Sequence, residues 1–157
     1  MPRWKYSFKF RDEEKIAKAV VMDVPVHPKI MREVAEAIRG MNLKKAKKYL
    51  ERVIEKKEAV PFRHAHGKQA HRRGLADKWG WPAGRYPVKA ARYMLKLLDN
   101  VEANAEFKGL DTEKLKIVAI VVHKGLTLKR WMPRAFGRAT PKNRIHSHVE
   151  IAVMEVD

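Results

Sequence analysis

The chain has 157 residues, 45% of them hydrophobic, which is enough for one folded domain with an apolar core and excludes a disordered basic tail. Lys and Arg number 35 against 18 Asp and Glu, so the formal net charge is +17 and a phosphate backbone is the expected partner. The sequence has no Cys, no apolar run long enough to span a membrane and no secretory signal pattern. We therefore expect a cytosolic protein without disulfides, thiolate sites or membrane contact.

Residues 1–11 are basic and aromatic, with Tyr6, Phe8 and Phe10 alternating along the chain. This period of two predicts extended structure, either as a plain terminal arm or as an arm that stacks on RNA bases. The apolar run over residues 16–24 ends in β-branched side chains and predicts the first strand.

Two amphipathic helices are predicted next. In residues 28–39 apolar side chains recur at helical spacing, Pro28 suits the first position, and Gly40 follows as a C-cap. In residues 43–58 one apolar stripe, which includes Leu50, lies opposite a surface of lysines, arginines and glutamates. We expect the lysines early in this helix to form a solvated face rather than a phosphate-binding cluster.

Residues 61–86 interrupt the regular pattern with glycines and prolines and predict a long loop, inserted as a basic extension of the domain. Trp79, Trp81 and three histidines are interleaved with basic residues, and Asp77 is the only acid. We expect RNA to order this insertion through Arg63, Lys68, Arg72, Arg73 and Arg85. The alternatives are a solvated loop and a metal site made of His64, His66 and His71, which lacks supporting Cys or carboxylate ligands.

A third helix is predicted over residues 87–109, with a broad apolar face that packs on the sheet. Two apolar runs follow and predict paired strands. Residues 117–122 are all apolar, which predicts cover on both faces, whereas 149–153 belong to an alternating strand. This order predicts an α+β fold, with three helices packed on a small antiparallel sheet and with residues 1–157 forming a single RNA-binding domain.

Residues 124–148, between these two strands, contain seven Lys or Arg and no acid. Such a segment cannot be core, so we predict a protruding β-hairpin whose arms of about 12 residues reach on the order of 40 Å. An isolated two-stranded hairpin is marginal in water, so a polyanionic partner is needed to hold it. The expected RNA contacts are Lys124, Lys129, Arg130, Trp131, Arg134, Arg138, Lys142, Arg144, His146 and His148.

Histidines near the base of this hairpin raise an enzymatic alternative. His123, His146 and His148 would meet where the two strands pair, and a histidine pair can act as general acid and base in RNA cleavage. No phosphate-binding loop, zinc-protease helix, nucleophile elbow or carboxylate pair accompanies them. Phosphate contact or base stacking is the simpler interpretation, so we expect no catalysis, no metal and no cofactor. A free-standing, non-specific nucleic-acid-binding module is a third hypothesis.

Three motifs carry a family resemblance: IRG at 38–40, ANAE at 103–106 and, above all, MPRAFGRA at 132–139. From residue 26 to residue 153 the chain resembles the large-subunit ribosomal proteins of the family numbered twenty-two in bacteria and seventeen in animals. The insertion at 61–86 is similar to that of the longer archaeal and eukaryotic form.

The resemblance implies a structural constituent of the large ribosomal subunit that binds large-subunit rRNA and supports subunit assembly. It also implies that the globular domain lies at the exit of the nascent-peptide tunnel while the hairpin passes inward to line it. Carried onto this sequence, the hairpin tip comprises Met132, Pro133, Arg134, Ala135, Phe136, Gly137, Arg138 and Ala139. The implied partners are large-subunit rRNA, neighbouring ribosomal proteins and the nascent polypeptide, with the protein a monomer within a cytoplasmic ribosome.

Overall fold

The computed structural model describes residues 4–156, and the main strands and helices follow the predicted order. Residues 1–3 and 157, which belong to the predicted terminal arm and domain, lie outside the described residues. In chain order the elements are β1 (Ile16–Val24), α1 (Pro28–Ile38), α2 (Leu43–Ile54), β2 (Val60–Pro61), α3 (Leu75–Trp79), β3 (Gly84–Arg85), α4 (Val88–Phe107), β4 (Leu115–Leu128), β5 (Trp131–Pro133), a single 3-10 turn (Ala135–Gly137), β6 (Ala139–Pro141) and β7 (Arg144–Glu155).

The main sheet has three antiparallel strands with β7 at its centre, between β1 and β4. Ile151 of β7 lies opposite Ala19 of β1 on one side and opposite Ile120 of β4 on the other. Directly opposed residues point to the same face of a sheet, and all three of these side chains are buried in the core. The α+β prediction, with helices on one side of a small antiparallel sheet, is confirmed.

Helices α1, α2 and α4 cover this face, and their apolar stripes bury Val34, Leu50 and Leu98 completely. Local signals fix where the helices begin: Pro28 lies in the first turn of α1, and the side chain of Asn42 accepts the backbone N–H of Lys44 at the start of α2. Between them Gly40 has a φ of +78°, and its N–H donates to the carbonyl of Ile117. The helix pair is thereby tied to β4.

Helix α2 ends at Ile54 rather than at residue 58, where the periodicity had placed its end. Lys56 adopts a φ of +59°, and the N–H groups of Lys57 and Glu58 both donate to the carbonyl of Arg52. This turn reverses the chain toward β2. The prediction for this boundary is wrong because the charged side chains that follow the helix continue its polar pattern while the backbone has already left it.

The segment 61–86 is more regular than the long loop that was predicted. It contains helix α3, and its ends pair as β2 and β3, with Val60 opposite Arg85. Two of its own side chains, Phe62 and Leu75, are buried. Two-residue strands and a five-residue helix are too short to produce a detectable hydrophobic period. The sequence therefore predicted three helices and missed α3.

The outer face of the sheet is covered at its centre by the N-terminal segment, residues 4–10. The indole N–H of Trp4 and the backbone N–H of Ser7 donate to the carboxylate of Glu150, which is fully buried. The central strand β7 is therefore covered on both faces, by the helices on one side and by the N-terminal segment on the other. The same prediction for residues 117–122 is wrong, because β4 is an edge strand and leaves Val118 37% exposed.

Residues 4–10 of the terminal arm form no strand and bend at Ser7, but the alternating aromatic rings lie next to one another. The ring centroids of Tyr6 and Phe8 are 5.6 Å apart, and those of Phe8 and Phe10 are 5.4 Å apart. The ammonium of Lys18 in β1 lies 5.9 Å from the centroids of the first and last of these rings. Within residues 4–156, no helix combines the length and the apolar character that crossing a membrane requires.

Candidate RNA-binding surface

The hairpin formed by residues 124–148 presents an exposed cationic surface. Its strands leave the sheet as the continuation of β4 and β7, and its far part is built from β5, the 3-10 turn and β6. Trp131 is 67% exposed and Phe136 is 98% exposed. The seven basic residues predicted to contact RNA here are all exposed: Lys124, Lys129, Arg130, Arg134, Arg138, Lys142 and Arg144.

The turn lies at residues 134–138, within the stretch identified as the tip. The N–H of Arg134 donates to the carbonyl of Arg138 at 2.8 Å, and the Nε of Arg134 donates to the hydroxyl of Thr140 at 3.1 Å. Phe136 and Gly137 both have positive φ, of +57° and +65°. Glycine accepts this conformation without strain, whereas phenylalanine does not, so the turn holds an exposed aromatic ring at its apex in a costly conformation.

The histidines at the hairpin base are brought together as predicted, but two of them already have partners. His123 lies opposite His148 across β4 and β7. Nε2 of His123 contacts the Glu150 carboxylate at 2.7 Å, and Nδ1 of His148 accepts the N–H of Asp23 at 3.0 Å. The ring of Trp4 lies 6.1 Å from one histidine ring and 5.4 Å from the other. These contacts place the pair in the fold beneath the N-terminal segment rather than at an open cleft.

His146 points the same way as His148, one pleat nearer the hairpin, and its Nδ1 is buried without a hydrogen-bond partner. In the insertion, Nδ1 of His66 lies 2.7 Å from the carbonyl of Arg63, and its ring packs edge-on against Trp81. Across residues 4–156, no three side chains from His, Cys, Asp and Glu are grouped so that they could hold a metal ion.

The basic side chains of the insertion that were predicted to contact RNA divide into two groups. Arg63 donates to the carbonyl of Trp79 at 2.8 Å, and Arg72 lies 5.4 Å from the ring of Tyr86, so both help to hold the insertion together. The others are exposed: Lys68, Arg73 and Arg85. The insertion therefore presents a second, smaller cationic surface, and the contacts of Arg63 and Arg72 hold the segment that carries it.

Two buried carboxylates support these surfaces, and neither was singled out from the sequence. Glu33 of α1 accepts the backbone N–H groups of residues 63, 64 and 65 at 2.7–2.9 Å. Glu150 accepts hydrogen bonds from Trp4, Ser7 and His123. The sequence did carry a signal for both: Glu150 stands alone in an apolar run, and Glu33 lies beside the apolar stripe of α1. An acid in such a place can be buried only if hydrogen-bond donors surround it.

The surroundings of Glu150 perturb its acidity in opposite directions. Burial raises the pKa of the Glu150 carboxyl, but the hydrogen bonds from His123, Ser7 and Trp4 together outweigh it and hold the pKa below its ordinary value. The charged form is thus the one that the folded protein stabilises.

Comparison with known proteins agrees with this architecture. The sequence model of the family described as Ribosomal protein L22p/L17e matches residues 19–154, which is most of the chain. The chain belongs to this family. Its members are structural ribosomal proteins, so the ribonuclease hypothesis built on the histidines is set aside.

Curated relatives from archaea match the chain over its whole length. A protein of Aeropyrum pernix named large ribosomal subunit protein uL22 is 74% identical over 156 residues, which cover 99% of this chain and all of the relative. Proteins of the same name from Staphylothermus marinus and Ignicoccus hospitalis are 64% and 62% identical, and each alignment covers all of both chains. The insertion at 61–86 lies within these alignments, in agreement with an archaeal-type member of the L22p/L17e family.

Proposed function

We propose that this structural constituent of the large ribosomal subunit binds large-subunit rRNA through its hairpin and supports subunit assembly. The observation that carries the proposal is the acid-free hairpin, with seven exposed cations and no core of its own, projecting from a stable α+β domain. Such an element is stable only when a polyanion surrounds it. The exposed cations Lys68, Arg73 and Arg85 of the insertion add a second contact with RNA or with a neighbouring ribosomal protein.

The tip of the hairpin lines the nascent-peptide exit tunnel in this proposal. All of residues 131–144 are exposed, and the ring of Phe136 stands at the apex without a packing partner among the described residues. An apolar side chain held in this way needs a surface outside the chain, either an rRNA base or the passing polypeptide. The globular domain would remain at the subunit surface, as a monomer within the cytoplasmic ribosome.

Salt-dependent binding tests the RNA contact. The full chain is titrated with a large-subunit rRNA fragment at several salt concentrations, and the slope of log K against log salt is compared with that of Arg130/Arg134/Arg144→Ala. Each lost phosphate contact lowers the slope by about 0.7–0.9, so the triple variant should lower it by up to about 3. A control of equal charge, Lys45/Lys48/Lys56→Ala on the globular domain, should change it less. An unchanged slope in the hairpin variant would contradict the proposal.

Site-specific crosslinking tests the tunnel contact. A photoreactive amino acid replaces Phe136 in translating ribosomes, and crosslinks to nascent chains are expected. The same amino acid at Phe107, which is 94% exposed at the end of α4 on the globular domain, should give none. Equal yields at the two positions, or no yield at position 136, would refute tunnel lining.

A further inference from the structure

Beyond a register shift between Lys124 and Thr127, the strand pairing of the hairpin stops on both arms, at residues 129–130 and 142–143. Pairing of β4 with β7 ends where Leu128 lies opposite Arg144, and it resumes where Trp131 lies opposite Pro141. Across the gap the N–H of Lys142 donates to the carbonyl of Arg130 at 2.6 Å. We call this ordered interruption the neck of the hairpin.

A cleft with a volume of about 570 Å³ lies beside the neck, where the hairpin leaves the domain. Pro25 and His27, in the connection between β1 and α1, form its domain side, and Trp131 lies on its hairpin side. The connection is held to the sheet because the buried hydroxyl of Ser147 donates to the carbonyl of Val26 at 3.1 Å. The cleft therefore has a fixed wall, and its volume lies within the range of about 300–1,000 Å³ typical of ligand sites.

The residues that line the cleft suit a ligand that carries both a phosphate and an aromatic ring. Three cations line it, Arg130, Lys142 and Arg144, and no acidic residue does. No carboxylate of residues 4–156 pairs with any of these cations, and the indole of Trp131 has neither a ring contact nor a hydrogen bond to the described residues. Cations without partners beside an exposed indole form the combination that binds unstacked nucleotides.

We propose that the neck cleft binds one unpaired nucleotide of a single-stranded RNA segment. Its base stacks on Trp131, and its phosphate contacts the cations Arg130, Lys142 and Arg144. A base within a duplex has both faces covered by its neighbours, so the cleft selects a bulged or looped nucleotide. This inference rests on the proposed RNA binding and adds to it the kind of RNA that the neck recognises.

The test compares Trp131→Ala with Phe107→Ala in the full chain, using a short single-stranded oligoadenylate and a duplex of equal length as probes. Loss of one base stack weakens single-strand binding by about 5- to 150-fold, which corresponds to ~1–3 kcal/mol. Trp131→Ala should show this loss with an unchanged salt slope, because no charge is removed, while Trp131→Phe retains most of the affinity. Phe107→Ala removes an exposed ring on the globular domain, outside the cleft, and should bind the single strand like the wild type.

A second pair of variants tests the phosphate contact at equal charge. Arg130→Gln with Lys142→Gln should abolish the preference for the single strand over the duplex, whereas Lys124→Gln with Lys129→Gln should weaken binding to both RNAs alike. Equal affinity of Trp131→Ala and Phe107→Ala for the oligoadenylate would overturn the nucleotide site and leave the proposed rRNA binding intact. A wild type that binds neither this probe nor large-subunit rRNA would overturn both.

Discussion

Nε2 of His123 lies 2.7 Å from Oε1 of Glu150, on the sheet face turned away from the helices. The same carboxylate accepts hydrogen bonds from Trp4 and Ser7 of the N-terminal segment. Glu150 is fully buried, and its neighbours Val149 and Ile151 on the central strand are buried apolar residues. The contact thus joins the base of the hairpin, the central strand and the N-terminus in one hydrogen-bonded cluster.

Glu150→Gln should release the N-terminal segment. The carboxamide offers one acceptor oxygen in place of two and turns an N–H₂ group toward donors, so buried hydrogen bonds are lost at a cost of about 1–3 kcal/mol. Denaturant unfolding measures this loss, and hydrogen exchange of the Ser7 amide should accelerate. Glu155→Gln, at the half-exposed end of the same strand, is the matched control and should change neither measurement.

The same carboxyl makes stability depend on pH. Because its pKa is lower in the folded protein than the ordinary value of 4.5, the folded state binds protons less readily than the unfolded state. Its contribution to the free energy of unfolding is therefore fully present above pH 4.5 and is lost as the pH falls below that value, through the folded-state pKa. The stability difference between wild type and Glu150→Gln should shrink over this acidic interval. A difference that stays constant down to pH 3 would contradict this assignment.

Glu33→Gln should loosen the insertion without unfolding the domain. The carboxylate is almost fully buried and accepts the N–H groups of Arg63, His64 and Ala65. Losing part of this set of hydrogen bonds, which we call the Glu33 cap, should destabilise the insertion by about 1–3 kcal/mol. Limited proteolysis within residues 63–73 should therefore become faster. Glu36→Gln on the same helix removes a surface ion pair with Arg39, worth about 0–1 kcal/mol, and serves as control. Equal cleavage of the two variants would count against the cap.

Gly84→Ala should disrupt the pairing of β2 with β3. A Cβ at this position would lie 2.5 Å from the Val60 carbonyl oxygen and 2.5 Å from Cδ2 of Leu75. Backbone atoms cannot yield as the end of a side chain can, so we expect a loss of about 1–3 kcal/mol in thermal or denaturant unfolding. Gly67→Ala, whose Cβ meets only open space, should be neutral. Comparable stabilities of both variants would refute the close packing of Gly84.

Periodic signals in the sequence were sufficient for the elements that form the core. The stripe through Val34 and Ile38 predicted α1, and the β-branched run ending at Val24 predicted β1 with the observed bounds. A helix or strand of this length repeats its pattern several times, so local spacing identifies it. The acid-free composition of residues 124–148 predicted a protruding hairpin for a similar reason, since such a run cannot be buried.

What the sequence did not reveal depends on contacts between distant residues. Glu33 meets the insertion about 30 positions later, and Glu150 meets Trp4 from the opposite end of the chain. The edge position of β4 and the short helix α3 follow from the same tertiary packing, which no local period records. The neck cleft likewise exists only because the connection at Pro25 and His27 folds back beside Trp131.

A hairpin replacement tests the central claim, that the hairpin anchors this protein in the large subunit. Leu128 and Arg144 lie directly opposite each other, so an Asn-Gly turn can join them in place of residues 129–143, all of which lie outside the core. Tagged wild type and this variant are expressed in the organism's own cells and sedimented through a high-salt sucrose gradient. We expect wild type to migrate stoichiometrically with the large subunit and the folded variant to remain near the top. Equal retention of both proteins, or a wild type that remains at the top, would contradict the claim.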